Sequence, residues 1–204
     1  LILPGENMFN VLCRRSLLLL LAVSSWLIVS CALSPQQVTI KPDITVGAAG
    51  YGKGRAISVQ AEDLRENPVI GTRGGVYGNT STIEIGNDVK SEIAFAVAKG
   101  LGNWGFKPQV NGSDQTMTMV VALSSLTYTL DSNPAIGKAH VTATITVDVT
   151  QGNRSYHGSY GANNEVGYIA PPPEERNNTQ INEAISIALQ KVFEDEGLIN
   201  FLQP

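Results

Sequence analysis

The side chains best suited to covalent chemistry lie in one stretch, Asp148, Ser155, His157 and Ser159. An acid, an imidazole and a hydroxyl are the parts of an acyl-transfer triad, in which histidine takes the serine proton and the carboxylate holds the ring. Such a set would make the protein a hydrolase, with either Ser159 or Ser155 as nucleophile. The spacing argues against it. Residues two apart on a strand sit roughly 7 Å apart, beyond hydrogen-bond reach, and neither serine lies in a Gly-x-Ser-x-Gly elbow. Asp148 and His157 are therefore expected to form a charge pair on a solvated, threonine-rich sheet face, and the protein is not expected to be an enzyme. His140 is the only other histidine, on the opposite half of the same region, so no metal site is expected, and no cofactor. Asp63 and Arg65 make a further pair whose reading is the fixing of a loop, with a surface ion pair contributing ~0–1 kcal/mol. Arg73-Gly74-Gly75 lacks the Lys-Ser/Thr ending of a phosphate loop. The Asn-x-Ser/Thr triplets at Asn79, Asn111, Asn153 and Asn177 read as turn chemistry.

The elements that must hold these residues follow from periodicity. Val141, Ala143, Ile145, Val147 and Val149 alternate with Thr142, Thr144, Thr146 and Asp148, the pattern of a half-buried antiparallel strand. Gly152-Asn153 is a two-residue hairpin signal, which sets Val149 opposite Tyr156, Ile145 opposite Tyr160 and Asp148 opposite His157. In the strand before it, Met117, Met119, Val121 and Leu123 are apolar at odd positions and Leu126, Tyr128 and Leu130 at even ones. An extra residue at Ser124-Ser125 restores one apolar face, so a β-bulge is expected there, both serines opposing Thr144. Residues 87–104 read as a helix with its stripe at Val89, Ile93, Val97, Leu101 and Trp104. Asn87 or Asp88 can cap it, and Gly105-Phe106 can close it. Trp104 and Phe106 read as core closure. A second helix follows Pro171-Pro172-Pro173, capped by Asn177 or Asn178, with Ile181, Ile185, Ala188 and Val192 buried and Gly197 as its stop. Short strands are expected at 56–61 and 80–85. The expected fold is α+β: an antiparallel sheet dominated by a three-stranded meander, with two helices packed on its apolar face.

Upstream the chain changes character. Arg14 and Arg15 precede an almost wholly apolar run, 16–29, of about fourteen residues, against roughly 20 for a membrane span. Length and flanks are those of a secretory signal, so 1–30 is read as a signal peptide whose true start is Met8. Residues 31–54 are Gly- and Pro-rich and read as a tether, with Gly50-Tyr51-Gly52-Lys53-Gly54 as flexible linker. Residues 55–204 make a single α+β domain. The exported part, 31–204, holds 12 basic and 17 acidic side chains, an acidic and evenly spread charge that argues against nucleic acid and against a polybasic grip on anionic lipid. Its sole cysteine is Cys31, which excludes an internal disulfide and thiolate metal sites.

Ile28-Val29-Ser30-Cys31 resembles the lipobox of bacterial lipoproteins, the alternative being a plain signal peptide that happens to carry a cysteine. The resemblance implies that the Cys31 thiol receives a diacylglycerol, that the leader is cut before it and that the freed amine is acylated, typically with palmitate. Two or three acyl chains anchor stably where one does not. Ala32 stands where an Asp would resemble the inner-membrane retention signal, which places the anchor in the inner leaflet of the outer membrane. Further along, Ile57-Ser58-Val59 leading to Asp63-Leu64-Arg65 and Ile70-Gly71-Thr72-Arg73, the helix ending at Gly105-Phe106, the long meander and the final Ile199-Asn200-Phe201-Leu202 together resemble the YajG family of bacterial outer-membrane lipoproteins. That family implies an envelope address and no catalytic residue. The expected function is thus a lipid-anchored, periplasm-facing binding or scaffold module. Its partner, an envelope protein, a glycan or a lipid, is left open. An envelope hydrolase working from the polar meander face, or an accessory lipoprotein of an envelope transporter, are the alternatives.

Overall fold

A computed structural model describes residues 33–74, 80–113, 116–131 and 137–204. The signal-peptide reading of 1–30 and the lipidation site Cys31 lie outside them. In chain order the described elements are β1 (Gln36–Val38), β2 (Ala56–Asp63), β3 (Val69–Thr72), β4 (Thr82–Ile85), α1 (Val89–Asn103), β5 (Lys107–Val110), β6 (Met117–Asp131), β7 (Gly137–Gln151), β8 (Arg154–Tyr168), α2 (Glu174–Glu194) and α3 (Glu196–Leu202).

The local signals hold well. Gly152 turns the β7–β8 hairpin at φ +56°, and Val149 pairs with Tyr156, Ile145 with Tyr160 and Asp148 with His157. On the β6–β7 side the register slips between Leu123, opposite Ile145, and Ser125, opposite Thr144. Ser124 is the extra residue, its hydroxyl 2.8 Å from that of Thr146. The slip keeps Met117, Met119, Val121 and Leu123 buried together with Leu126 and Tyr128. Asp88 caps α1 by accepting from the Ser91 N–H. At the other end Gly105 adopts φ +81°, Phe106 N–H donates to Leu101 O at 3.1 Å and Gly105 N–H to Gly102 O at 2.9 Å, both bonds of a Schellman closure.

The expected sheet does not hold. Instead of an antiparallel sheet dominated by the meander, the described residues form a mixed sheet of eight strands in the order β1-β4-β3-β6-β2-β5, with β7 and β8 beyond β6. Four of the seven pairings are parallel: β1 with β4, β2 with β5, β2 with β6 and β3 with β6. The overall class remains α+β. The physical reason is that a hairpin is encoded in its own turn residues, whereas a parallel pair needs a crossover of a dozen or more residues and leaves no local mark. The helices divide accordingly. α1 packs on β2 and β5, and α2 on β7 and β8, the two meeting where Trp104 and Phe193 stack edge-on at 4.9 Å. The second helix also starts earlier than its expected cap, with Pro173 at the N-cap and Asn177 buried inside the helix. Gly197 does not end it; Asp195 does, and caps α3.

Residues 36–54, read from the sequence as a flexible tether, are laid onto the domain. Val38, Ile40 and Ile44 are buried. The N–H groups of Thr39, Lys41, Asp43 and Thr45 donate to Asn178, Asn182, Ser186 and Gln190 at 3.0, 2.6, 2.9 and 3.0 Å. Four residues of helix rise ~6.0 Å and two of extended chain ~6.6 Å, so a polar stripe at every fourth helix position can serve as a strand's hydrogen-bonding partner. Further on, Ala49, Gly52 and Gly54 N–H groups bind the carbonyls of Asn103, Trp104 and Gly105.

Candidate functional site

Only one edge of β6 faces β7, and two short strands share the other. β2 runs beside its first half as far as Asp63 opposite Leu123, with Leu64 N–H donating to Leu123 O at 3.0 Å. The chain then leaves the sheet and returns as β3, which meets β6 at Gly71 opposite Tyr128. Only glycine permits that return, because a Cβ on Gly71 would fall 2.0 Å from Tyr128 O. Among the described residues Ser124 to Thr127 therefore have no strand in register with them on this edge, and the bulge at Ser124 lies in the gap. A cleft of ≈ 360 Å³ opens there, lined by Leu64, Arg65, Glu66, Asn67, Val69, Ile70, Ser124, Ser125, Leu126 and Thr127.

Arg65 dominates the cleft wall. Its Nε and Nη2 donate to the two carboxylate oxygens of Asp63 at 2.8 Å each, a bidentate fork. The side chain of Arg65 is only 9% exposed, so the pair is far better shielded than the loop-fixing surface bridge the sequence suggested. Burial pushes the Asp63 carboxyl up, but the Arg65 side chain and N–H outweigh it and hold the group below its usual range. Nη1 of Arg65 is buried and makes no hydrogen bond. Leaving such a donor without an acceptor costs about 1–3 kcal/mol. Beside the Asp63–Arg65 pair the cleft is walled by Ser125 and Thr127 and by a stretch of β6 edge with no strand in register.

The other candidates are placed as follows. His157 Nδ1 lies 2.7 Å from Asp148 Oδ1, both side chains more than half exposed, and that pair is the only partner of His157 in the described structure. Ser155 and Ser159 sit opposite Thr150 and Thr146 on β7 and are not brought to the imidazole. His140 lies between Asp131 (3.0 Å) and Glu165 (3.3 Å). Among the described residues no group of three or more His, Cys, Asp and Glu is arranged to hold a metal. Trp104 and Phe106 are buried in the core. The sequence exposed Asp63-Arg65 and the serine bulge as separate features. Their convergence on one cleft depends on which strands flank β6, and nothing in either segment signals it.

A family model described as an uncharacterized lipoprotein matches residues 42–203. No curated protein matches the sequence. Among solved structures, a Xanthomonas campestris protein of a domain family of unknown function aligns with TM-score 0.43 at 7% identity, over 79% of this chain and 92% of that one. A Helicobacter pylori homolog of a neuraminyllactose-binding hemagglutinin aligns with TM-score 0.44 at 6% identity, over 78% and 92%. Likenesses this loose carry no inference about function.

Proposed function

This chain belongs to the uncharacterized-lipoprotein family, and we propose that it is a lipid-anchored, periplasm-facing binding module that holds a partner and transforms none. Family membership makes it a membrane-anchored envelope protein. The finer address, the inner leaflet of the outer membrane through an acylated Cys31, is supported by the lipobox and by Ala32 after it.

The observation that carries the binding role is the gap beside β6. A cleft beside four residues of β6 that have no strand in register is suited to an extended segment of an envelope protein. Such a segment would add its backbone to β6, as in strand-addition recognition. Glycan and lipid partners fit less well, since neither repeats donors and acceptors at strand spacing.

A photo-crosslinking amino acid placed at Leu64, which lines the cleft and is 55% exposed, tests this in intact cells. The expected result is a discrete protein adduct that a probe at Phe95, exposed on α1, does not give. Equal adducts at both positions, or none at Leu64, would remove the cleft from the account.

A further inference from the structure

We propose that the exposed turn Ile169–Pro173 is a membrane-contact tip that seats in the lipid leaflet holding the anchor; this rests on the lipid-anchored reading above. Because β1 begins at Gln36 and is pinned to the domain, only four residues, 32–35, separate it from Cys31, five Cα-to-Cα steps in all. Fully extended they reach at most ~18 Å, so an acylated Cys31 cannot leave this end of the molecule.

The same end carries the turn. The Gln36 side-chain amide lies 2.7 Å from Asn177 Nδ2, and Asn177 Nδ2 lies 3.5 Å from Pro172 O. Arg73 Nη1 donates to Ser34 O at 3.1 Å, and Arg176 Nη2 to Gly167 O at 3.0 Å, closing the base of the turn. Pro172 is buried, which holds the turn rigid, while Ile169, Ala170, Pro171 and Pro173 are exposed. Ile169 is 94% exposed, well beyond the other exposed large apolar side chains of the described residues. An isoleucine on a proline-stiffened turn, beside the attachment point of the acyl chains, has hydrocarbon to enter once the anchor is inserted. The charged side chains at this end are of both signs, Arg73, Lys138 and Arg176 with Asp131, Glu165, Glu174 and Glu175, so there is no excess of positive charge. Seating is therefore driven by apolar insertion and should not depend on anionic lipid or on salt.

The test uses the full mature, acylated chain in phosphatidylethanolamine–phosphatidylglycerol vesicles. With Cys31 acylated the mature chain has no other thiol, so Ile169→Cys and, as control, Phe95→Cys each accept a single nitroxide label. Flotation reads the anchor, and collision with oxygen against a water-soluble nickel chelate reads depth. The expected result is that both variants float and that chelate accessibility at residue 169 falls by about threefold or more on vesicle binding, with residue 95 unchanged. A label at 169 as open to the chelate as the one at 95, in protein that floats, overturns the tip and leaves the anchor standing. Failure of both to float, with Cys31 free of lipid by mass spectrometry, overturns the anchor and the tip together.

Discussion

At the residue scale the most loaded position outside the cleft is Asp195, where α2 stops and α3 starts. Its Oδ1 accepts from the Gly197 and Leu198 N–H groups at 2.7 and 3.3 Å, capping α3. Its Oδ2 accepts the hydroxyls of Tyr156 and Tyr160 at 2.5 and 2.7 Å, which ties the helix junction to β8. Burial pushes this carboxyl up, but the two tyrosine hydroxyls and the two backbone donors outweigh it and leave it below the usual carboxylate range. A carboxyl lowered on folding stabilises the native state above its unfolded value, near 3.9. That contribution is lost as pH falls through the still lower folded value. Tyr160→Phe removes one donor and should move the Asp195 titration toward the ordinary value, read from the carboxyl carbon shift by NMR. An unmoved titration would mean that Tyr156 and the backbone cap set it without Tyr160. Sequence periodicity marked Gly197 as a stop, since glycine commonly follows a helix. An aspartate that reaches forward to cap a new helix, with tyrosines arriving from a strand some forty residues earlier in the chain, has no such local mark.

At the scale of elements, the telling contact is the segment 36–45 along α2. Its extended backbone has α2 in place of a second strand, and Asn178, Asn182, Ser186 and Gln190 supply the acceptors. Asn182 does most, since it accepts from Lys41 N–H at 2.6 Å and donates to Thr39 O at 2.9 Å. Asn182→Ala should cost about 1–2 kcal/mol for the hydrogen bonds lost, measured by urea unfolding. Amide exchange at Lys41 should speed up while core amides of α2 such as Ile181 stay protected. Uniform acceleration across both would mean that the segment unfolds only with the whole domain. The stripe is visible in the sequence once its partner is known. Read alone, asparagines and serines on a helix look like its solvated face, and a Pro- and Gly-containing stretch with little alternation looks like a linker. The bulge at Ser124 and the Gly152 hairpin were legible because each is decided by residues within a few positions of itself.

For the whole molecule, the consequence of docking is a short leash. With residues 36–54 on the domain, a protein acylated at Cys31 as proposed would be held close to the membrane rather than swing on a long tether. Cys31→Ala should shift it from the membrane pellet to the soluble fraction without changing its far-ultraviolet circular dichroism. Unchanged fractionation would refute acylation as the means of attachment. What the sequence determined by itself was whatever depends on neighbours in the chain: the capped first helix, the hairpin register and the phase slip in β6. Each is set by turn chemistry or by a two- or four-residue period. Only the tertiary structure decided that β2 and β3 share one edge of β6, that a cleft opens between them around Arg65, and that the N-terminal segment lies along α2. Those outcomes join segments tens of residues apart, and they are selected by how buried surfaces and unpaired backbone groups are satisfied together, which no single stretch of sequence encodes.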